Sequence, residues 1–219
     1  GKRIKAELET GEKALRAVEE ELNEWLSRIP NPAKEDVKVG RDESANEVLR
    51  KSGEPTKFDF TPKDHLVLGE ALDIIDVERA AKVSGARFYY LKNEGALLEF
   101  ALLQFALDTL LPEGFIPVMP PVLIKTEVMK KLGYMENGGD QDMFHLEKDG
   151  LTLIGTAEHA LVSMHMDETL DRKDLPKRYV GYSPSFRREA GSYGKDTKGI
   201  LRVHQFDKVE MVSFVVKGE

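Results

Sequence analysis

The chain has 219 residues, of which 41% are hydrophobic and 32% are charged, and its formal net charge at pH 7 is -7. This balance is typical of a soluble folded protein with one sizeable domain and an appendage, and it argues against broad, non-specific nucleic-acid binding while leaving room for a local basic patch. Because the sequence contains no cysteine, disulfides, thiolate metal sites and a cysteine nucleophile are excluded, and a cytoplasmic location is expected.

The first predicted element is a long helix over residues 1–30. Its apolar residues recur at alternating spacings of four and three, with Gly11 at one seam position, and they are Ile4, Leu8, Leu15, Val18, Leu22, Trp25 and Ile29. One helix cannot bury such a heptad stripe by itself, so the pattern predicts a partner helix in another chain or in the same hairpin. An amphipathic helix on the domain's own surface is the alternative. Pro30 and Pro32 end the helix, and turn-forming residues predict a linker over 31–63.

Residues 64–219 are predicted to form an α+β domain in which helices flank an antiparallel β-sheet. Its most apolar helix is expected over 93–111, capped by Asn93 and buried between layers, since apolar residues occupy nearly its whole circumference. No apolar run approaches the roughly 20 residues that a membrane span needs, so no membrane partner is expected. Further along, a strand is predicted to lead through Gly155 into a helix that starts near Thr156.

Two runs of alternating side chains flank a loop in the stretch FRREAGSYGKDTKGILRVHQFDKVEM, residues 186–211. Strand periodicity places Arg187 and Glu189 on one face of the first run. The same rule groups five residues on one face of the second run: Arg202, His204, Phe206, Lys208 and Glu210. An arginine fork suits a phosphate, an aromatic ring suits a base and carboxylates suit an ammonium group, which together suit a nucleotide plus an amino compound. A solvated strand face with cross-strand ion pairs is the alternative, and the charge pattern alone favours it.

Neither a glycine-rich phosphate loop nor a histidine metal site is predicted. The glycine spacing in GTAEHA and EAGSYG does not match the P-loop or dinucleotide motifs, so side chains on the sheet must hold any nucleotide. His159 and His165 lie six positions apart, which does not match the spacing of helical zinc motifs.

Several stretches of the chain resemble the seryl-tRNA synthetase family of class II aminoacyl-tRNA synthetases. The stretch 186–211 resembles motif 2 of that class, and GFIPVMPPVLI resembles motif 1. GTAEHAL is similar to the Thr-x-Glu segment that binds serine in this family, and the heptad helix with LSRIPNP is similar to the returning half of its helical arm. The resemblance follows the family order along essentially the whole chain. It implies that 1–30 is the second arm helix, 31–63 a linker and 64–219 a partial catalytic domain.

The resemblance implies that the chain binds ATP and L-serine and forms seryl-adenylate. Arg187 would be the catalytic residue, stabilising the α-phosphate as the serine carboxylate attacks phosphorus. Glu189 would accept a hydrogen bond from the adenine amino group, and Phe206 would stack on the base. The implied ATP-binding residues are Arg187, Arg188, Glu189, Val203, His204 and Phe206. The implied serine-binding residues are Thr156, Ala157, Glu158 and Glu210, with the carboxylates pairing with the ammonium group. Mg²⁺ is implied as an ion that shares the phosphate charge, with no metal ligand in this chain.

The resemblance also implies macromolecular partners. The helical arm and the loop from Ala190 to Gly199, with Lys195 and Lys198, would contact tRNA(Ser), and Pro121 would lie at the interface of a homodimer. The family's motif 3 and first arm helix are missing from the sequence, so we expect a fragment with impaired or absent adenylation. Two other functions stay open, a ligase that charges a carrier protein and a non-catalytic module that dimerises or binds partners. The heptad helix argues against the first of these.

Overall fold

A computed structural model of the chain describes residues 1–29, 32–135, 138–191 and 199–216. It divides into two compact units, Gly1–Pro62 and Lys63–Glu219. In the first unit, helix α1 spans Lys2–Ser27, which confirms the long N-terminal helix. Its seam residues are well exposed, from Leu22 at 54% to Ile4 at 67%. The apolar stripe of α1 is therefore exposed, and the partner helix stays a prediction.

The second unit contains the other α-helices and the strands of the described residues. The helices are α2 (His65–Ala71), α3 (Val77–Ser84), α4 (Asn93–Leu110), α5 (Thr126–Lys131) and α6 (Glu158–Val162). The strands are β1 (Ile75–Asp76), β2 (Tyr90–Leu91), β3 (Ile116–Val118), β4 (Leu123–Lys125), β5 (His145–Leu146), β6 (Leu151–Leu153), β7 (Lys177–Phe186) and β8 (Gln205–Phe214). This composition confirms the α+β class.

Among its described residues, the second unit contains three small sheets. Strands β7 and β8 pair antiparallel along their whole length, while β3 lies parallel to β7 on its other side. Strands β4, β6 and β5 form an antiparallel sheet, and β1 pairs with β2. The sheets are therefore antiparallel apart from the single β3–β7 pairing.

The register of β7 against β8 determines which side chains share a face. Gly181 lies opposite Glu210 in this pairing. Helix α6 packs on the same face, and a Cβ atom at Gly181 would lie 2.8 Å from Leu161 Cδ1 and 3.2 Å from Ala157 Cβ. A side chain at this position would therefore push α6 away from β7.

Two clusters of buried apolar residues form the core. One contains Ile124, Val128, Met129, Met143, Ile154 and Ala160 and joins α5, β4 and β6 to the start of α6. The other contains Ala157, Leu161 and Tyr179 and fastens α6 to β7. Together they fix the N-terminal end of α6 against the β7–β8 hairpin.

Helix α4 corrects two expectations. The predicted burial between layers is wrong, because Leu97 and Phe100 are each 65% exposed and Phe105 is 70% exposed. An apolar circumference can be buried only if a layer covers every side, and the described residues cover part of it. Asn93 does not cap the helix; its amide instead donates to the carbonyl oxygen of Asp73 at 3.0 Å.

The same helix also corrects the expectation about apolar length. Residues Asn93–Glu113 are long and apolar enough to cross a membrane by length and composition. One such helix is weak evidence for a membrane span, since core helices of soluble proteins pass the same test.

Candidate functional site

The Thr156 hydroxyl links the start of α6 to strand β8. Thr156 is 4% exposed, and its Oγ1 donates a hydrogen bond to Glu210 Oε2 at 2.7 Å. The same oxygen accepts from Lys208 Nζ at 3.0 Å and from the Glu158 backbone N–H at 3.3 Å. Lys208 and Glu210 also form an ion pair with each other. The Thr156 hydroxyl thus uses its one donor and both of its acceptor sites, and the donor goes to the Glu210 carboxylate.

Glu210 is held in its ionised form by this network. Partial burial by itself would raise the pKa of Glu210, but hydrogen bonds from Lys208 and Thr156 outweigh it and keep the pKa below the usual value. The carboxylate is therefore negative at neutral pH. A charged, partly buried carboxylate of this kind is suited to an ammonium group.

Arg187 lies beside this network. Its Nε donates to the carbonyl oxygen of Gly155 at 3.2 Å, and Gly155 directly precedes Thr156. The guanidinium carbon lies 5.1 Å from the centre of the Phe206 ring, which is a cation–π distance. The arginine and the aromatic ring that were predicted to contact one nucleotide are therefore adjacent.

His204 is hydrogen-bonded to the backbone of Arg187, and the preceding residue, Val203, is buried. The backbone N–H of Arg187 donates to the His204 carbonyl oxygen at 3.0 Å, and His204 Nδ1 lies 2.9 Å from the Arg187 carbonyl oxygen. The His204 ring packs against Phe88 at a centroid distance of 5.4 Å, and Val203 is 4% exposed. His204 therefore fixes the backbone of Arg187 through two hydrogen bonds.

The ends of the hairpin depart from the predicted alternation. Strand β7 ends at Phe186 and β8 begins at Gln205, so Arg187, Glu189, Arg202 and His204 lie beyond the strands. The prediction of one continuous strand face is wrong there, because Glu189 adopts a positive φ of 53° that breaks the two-residue period.

Glu189 and Arg188 make their own contacts beyond the strand end. Glu189 Oε2 lies 3.4 Å from Arg202 Nε, and the Glu189 carbonyl oxygen accepts from Arg87. The exposed Arg188 guanidinium carbon lies 5.7 Å from the centre of the Phe144 ring. Glu189 is thus anchored beside Arg202 and Arg87, and Arg188 lies over a different ring from Arg187.

The segment predicted to bind serine divides between core and site. Ala157 is completely buried and packs with Leu161 and Tyr179, so its side chain belongs to the core. Glu158 Oε1 accepts a hydrogen bond from the Tyr134 hydroxyl at 2.8 Å. The helix predicted from Thr156 starts two residues later, at Glu158.

Sequence reasoning missed two residues at this site. Lys208 was placed on the predicted strand face but not among the site residues, although it contacts both Thr156 and Glu210. Tyr134 lies in a turn after α5 and carries no motif that would single it out. Only the packing of that turn against α6 brings its hydroxyl to Glu158.

A cavity of about 270 Å³ lies among these groups. Its lining residues are Tyr134, Gly139, Asp142, Met143, Gly155, Thr156, His159, Phe186 and Arg187. Burial, together with the nearby charges of Arg187 and Lys208, lowers the pKa of His159 to about 4. His159 is therefore neutral at pH 7, and its Nδ1 accepts from the Gly155 N–H at 3.3 Å.

Other predicted positions lie outside this cluster. Lys195 and Lys198 fall within residues 192–198, which are outside the described part of the chain. Pro121 is exposed in the connection between β3 and β4. Within the described ranges, no group of three or more histidine and acidic side chains could hold a metal ion.

Comparison with known proteins gives consistent matches. The family model for the tRNA synthetase class II core domain (G, H, P, S and T) matches residues 143–219. The serine–tRNA ligase of Acidothermus cellulolyticus is 58% identical over 78% of this chain and 41% of its own length. That of Thermobifida fusca is 48% identical over 100% of this chain and 51% of its own length.

Solved structures give the same result for the fold. The crystal structure of seryl-tRNA synthetase from Pyrococcus horikoshii complexed with ATP matches with a TM-score of 0.85 and 43% identity, over 92% of this chain and 49% of that one. The cytoplasmic serine–tRNA ligase of Naegleria fowleri in complex with AMP matches with a TM-score of 0.81 and 30% identity, over 93% and 48%. The chain spans about half the length of the proteins it matches.

Proposed function

This chain belongs to the seryl-tRNA synthetase family, and on that basis we propose that its second unit supplies the ATP and serine floor of a serine–tRNA ligase. The proposed reaction activates L-serine with ATP to seryl-adenylate and then transfers the seryl group to tRNA(Ser). The observation that supports it is that two consecutive residues, Gly155 and Thr156, hold the proposed phosphate-binding arginine and the proposed ammonium-binding glutamate. Arg187 bonds the carbonyl oxygen of Gly155, while the next residue, Thr156, bonds Glu210.

Serine is proposed to bind on the Thr156 side of the cavity. Its ammonium group would donate to the ionised carboxylate of Glu210 and to the side chain of Glu158, and charge-assisted hydrogen bonds of this kind are the strong ones. Lys208 would keep Glu210 ionised and in place, since it contacts both Glu210 and Thr156. The proposed role of Ala157 is packing, which holds Thr156 and Glu158 at the cavity.

ATP is proposed to bind on the Arg187 side, with adenine on Phe206 and its amino group donating to Glu189. A serine carboxylate oxygen attacks the α-phosphorus, the new O–P bond forms and pyrophosphate leaves with the bonding electrons. Arg187 stabilises the negative charge that develops on the phosphate oxygens. No side chain forms a covalent intermediate, so the chain contributes positioning and electrostatic stabilisation.

Mg²⁺ would accompany ATP, and the described residues contain no group of three or more acidic or histidine side chains that could hold a metal ion. The divalent ion that accompanies ATP would be held by phosphate oxygens and water, as is usual for Mg²⁺. No step proposed for this chain passes through that ion.

The remaining partners are proposed from the sequence features. Helix α1 would form half of an arm that contacts tRNA(Ser), and the loop 190–199 would reach the acceptor end. Pro121 would lie at a homodimer interface, and the protein would work in the cytoplasm. The exposed stripe of α1 supports the arm proposal, because it requires another helix to cover it.

Amino-acid-dependent ATP–pyrophosphate exchange tests the proposed activity. It should be measured on this chain and on the complete protein that contains it, with serine and with other amino acids. We expect serine-dependent exchange by the complete protein, and weak or absent exchange by this chain if motif 3 is required. A second assay offers tRNA and acyl carrier proteins as seryl acceptors. Exclusive transfer to a carrier protein would favour that alternative, and absence of both exchange and nucleotide binding would favour a non-catalytic module.

A further inference from the structure

Tyr134 contacts the proposed serine pocket from a turn that follows α5. Its hydroxyl donates to Glu158 Oε1 at 2.8 Å. Its ring meets the His159 ring edge-on, with 4.2 Å between the centroids. Both residues lie at the start of α6, so one tyrosine contacts two consecutive positions there. It lines the same cavity as Thr156 and Arg187.

On the basis of the proposed function, we propose that Tyr134 is a positioning residue for Glu158 in the binding of the serine ammonium group. The phenol holds one carboxylate oxygen of Glu158 and leaves the other for the substrate. Among the residues that the structure describes, Tyr134 is the side chain hydrogen-bonded to this carboxylate. Without that contact the glutamate side chain would sample several rotamers, and binding would have to order it.

The chemistry of Tyr134 suits this role. Burial, followed by the hydrogen bond to Glu158, raises the pKa of Tyr134 to about 12. The phenol therefore stays protonated and acts as a donor over the whole neutral range. A hydroxyl that donates to one carboxylate oxygen fixes the direction of the carboxylate and leaves the other oxygen of Glu158 as an acceptor for an ammonium ligand.

The packing around the ring keeps the hydroxyl in place. His159 is 3% exposed and neutral, and its Nδ1 accepts from the Gly155 N–H at 3.3 Å. The ring against which Tyr134 packs is therefore itself held by the backbone of the site. Tyr134→Phe would keep this ring contact and remove only the hydrogen bond, which makes the variant a selective test.

The test measures ATP–pyrophosphate exchange by the complete protein that contains this chain, as wild type and as Tyr134→Phe. We expect the KM for serine to rise by about 3- to 10-fold, the range for loss of one typical hydrogen bond, while the KM for ATP stays within about twofold. The matched control is Tyr90→Phe, since Tyr90 is 43% exposed on β2 and no hydrogen bond joins its hydroxyl to a described residue. It should leave both KM values unchanged.

A double-mutant cycle separates positioning from a general structural effect. In a Glu158→Ala background, Tyr134→Phe should add no further change in the serine KM, because the carboxylate that it positions is gone. If Tyr134→Phe raises the serine KM by the same factor in both backgrounds, the positioning role is wrong. An unchanged serine KM in Tyr134→Phe, with an active wild type, would also contradict this role but not the proposed function. Absence of serine-dependent exchange by the wild type would overturn the proposed function and this assignment with it.

Discussion

Thr156 Oγ1 donates a hydrogen bond of 2.7 Å to Glu210 Oε2 across 54 positions of sequence. This contact joins the start of α6 to β8, and Lys208 supports both partners. Gly181, opposite Glu210 on β7, provides the space that lets α6 approach. The proposed serine pocket therefore depends on the same packing that builds the second unit.

Thr156→Val should separate the hydroxyl from the shape of the side chain. The variant keeps the volume but removes the donor that Thr156 provides to Glu210, so we expect about a tenfold or greater rise in serine KM and a loss of about 1–3 kcal/mol in unfolding free energy. Pyrophosphate exchange by the complete protein and denaturant unfolding measure the two effects. Thr156→Ser keeps the hydroxyl and should retain most of the binding. Equal serine KM values for wild type and the valine variant would show that this hydroxyl is not part of the pocket.

Arg187→Ala should weaken nucleotide binding. The guanidinium lies over Phe206 and bonds Gly155, and its charge is proposed to meet the α-phosphate. We expect a loss of affinity for ATP of about tenfold or more, since removing a charge-assisted contact costs about 1.5–3 kcal/mol. Isothermal calorimetry with ATP measures the affinity. Arg178→Ala is the matched control, because Arg178 is exposed on β7 and its guanidinium donates to the carbonyl oxygen of Glu113. ATP affinity that falls equally in both variants would argue against a specific role.

The raised pKa of Glu99 predicts that the free energy of unfolding decreases as the pH rises. Burial, and then a hydrogen bond with Asp207, raises the pKa of Glu99 from 4.5 to about 7. The folded state thus binds the proton more tightly than the unfolded state, so this contribution is present below about pH 4.5 and is lost as the pH rises through about 7. Solvent screening reduces its size, because the group is only partly buried.

Thermal unfolding of this chain at pH 5 and pH 8 measures the Glu99 effect. In Glu99→Gln the unfolding temperature should fall less between pH 5 and pH 8 than in the wild type, since an amide does not titrate. Glu94→Gln, in the exposed first turn of α4, should leave the decrease as in the wild type. A decrease of the same size in all three proteins would contradict the assignment to Glu99.

Gly181→Ala should destabilise the second unit. The added Cβ would lie 2.8 Å from Leu161 Cδ1 and 3.2 Å from Ala157 Cβ, so α6 must shift from β7. Overpacking of this kind costs about 1–3 kcal/mol, and denaturant unfolding measures it. Gly11→Ala in α1 is the opposite case, because nothing lies within 4 Å of its added Cβ. It should stabilise the helix by about 1 kcal/mol. A stabilised Gly181→Ala variant would contradict the observed packing.

The sequence predicts helices and strands correctly where the local pattern of apolar and polar residues defines them. The heptad spacing of residues 1–30 predicts a helix, and α1 spans Lys2–Ser27. The alternation before and after the motif 2 loop predicts two strands, and β7 and β8 pair along their length. The resemblance placed Thr156 and Glu210 in one pocket, and they are hydrogen-bonded. The roles of these residues stay predictions until they are measured.

Other features depend on contacts that no local pattern encodes. The apolar circumference of α4 indicates what the helix could bury, but neighbouring layers decide what it does bury, and Phe105 is 70% exposed. Glu189 has a positive φ, which interrupts the alternation of side chains between the two faces of the strand. A positive φ is uncommon in residues other than glycine, so the sequence does not indicate it here. Tyr134 reaches Glu158 only because the turn after α5 packs beside α6.

Binding of a non-hydrolysable seryl-adenylate analogue to this chain tests the proposed site most directly. The analogue spans both halves of the site, so its ammonium group would meet Glu210 while its phosphate-like group would meet Arg187. Calorimetry should give one site per chain, with affinity lowered by about tenfold or more in both Thr156→Val and Arg187→Ala. Absence of binding heat with the wild type, or equal affinity in all three proteins, would contradict the proposed site.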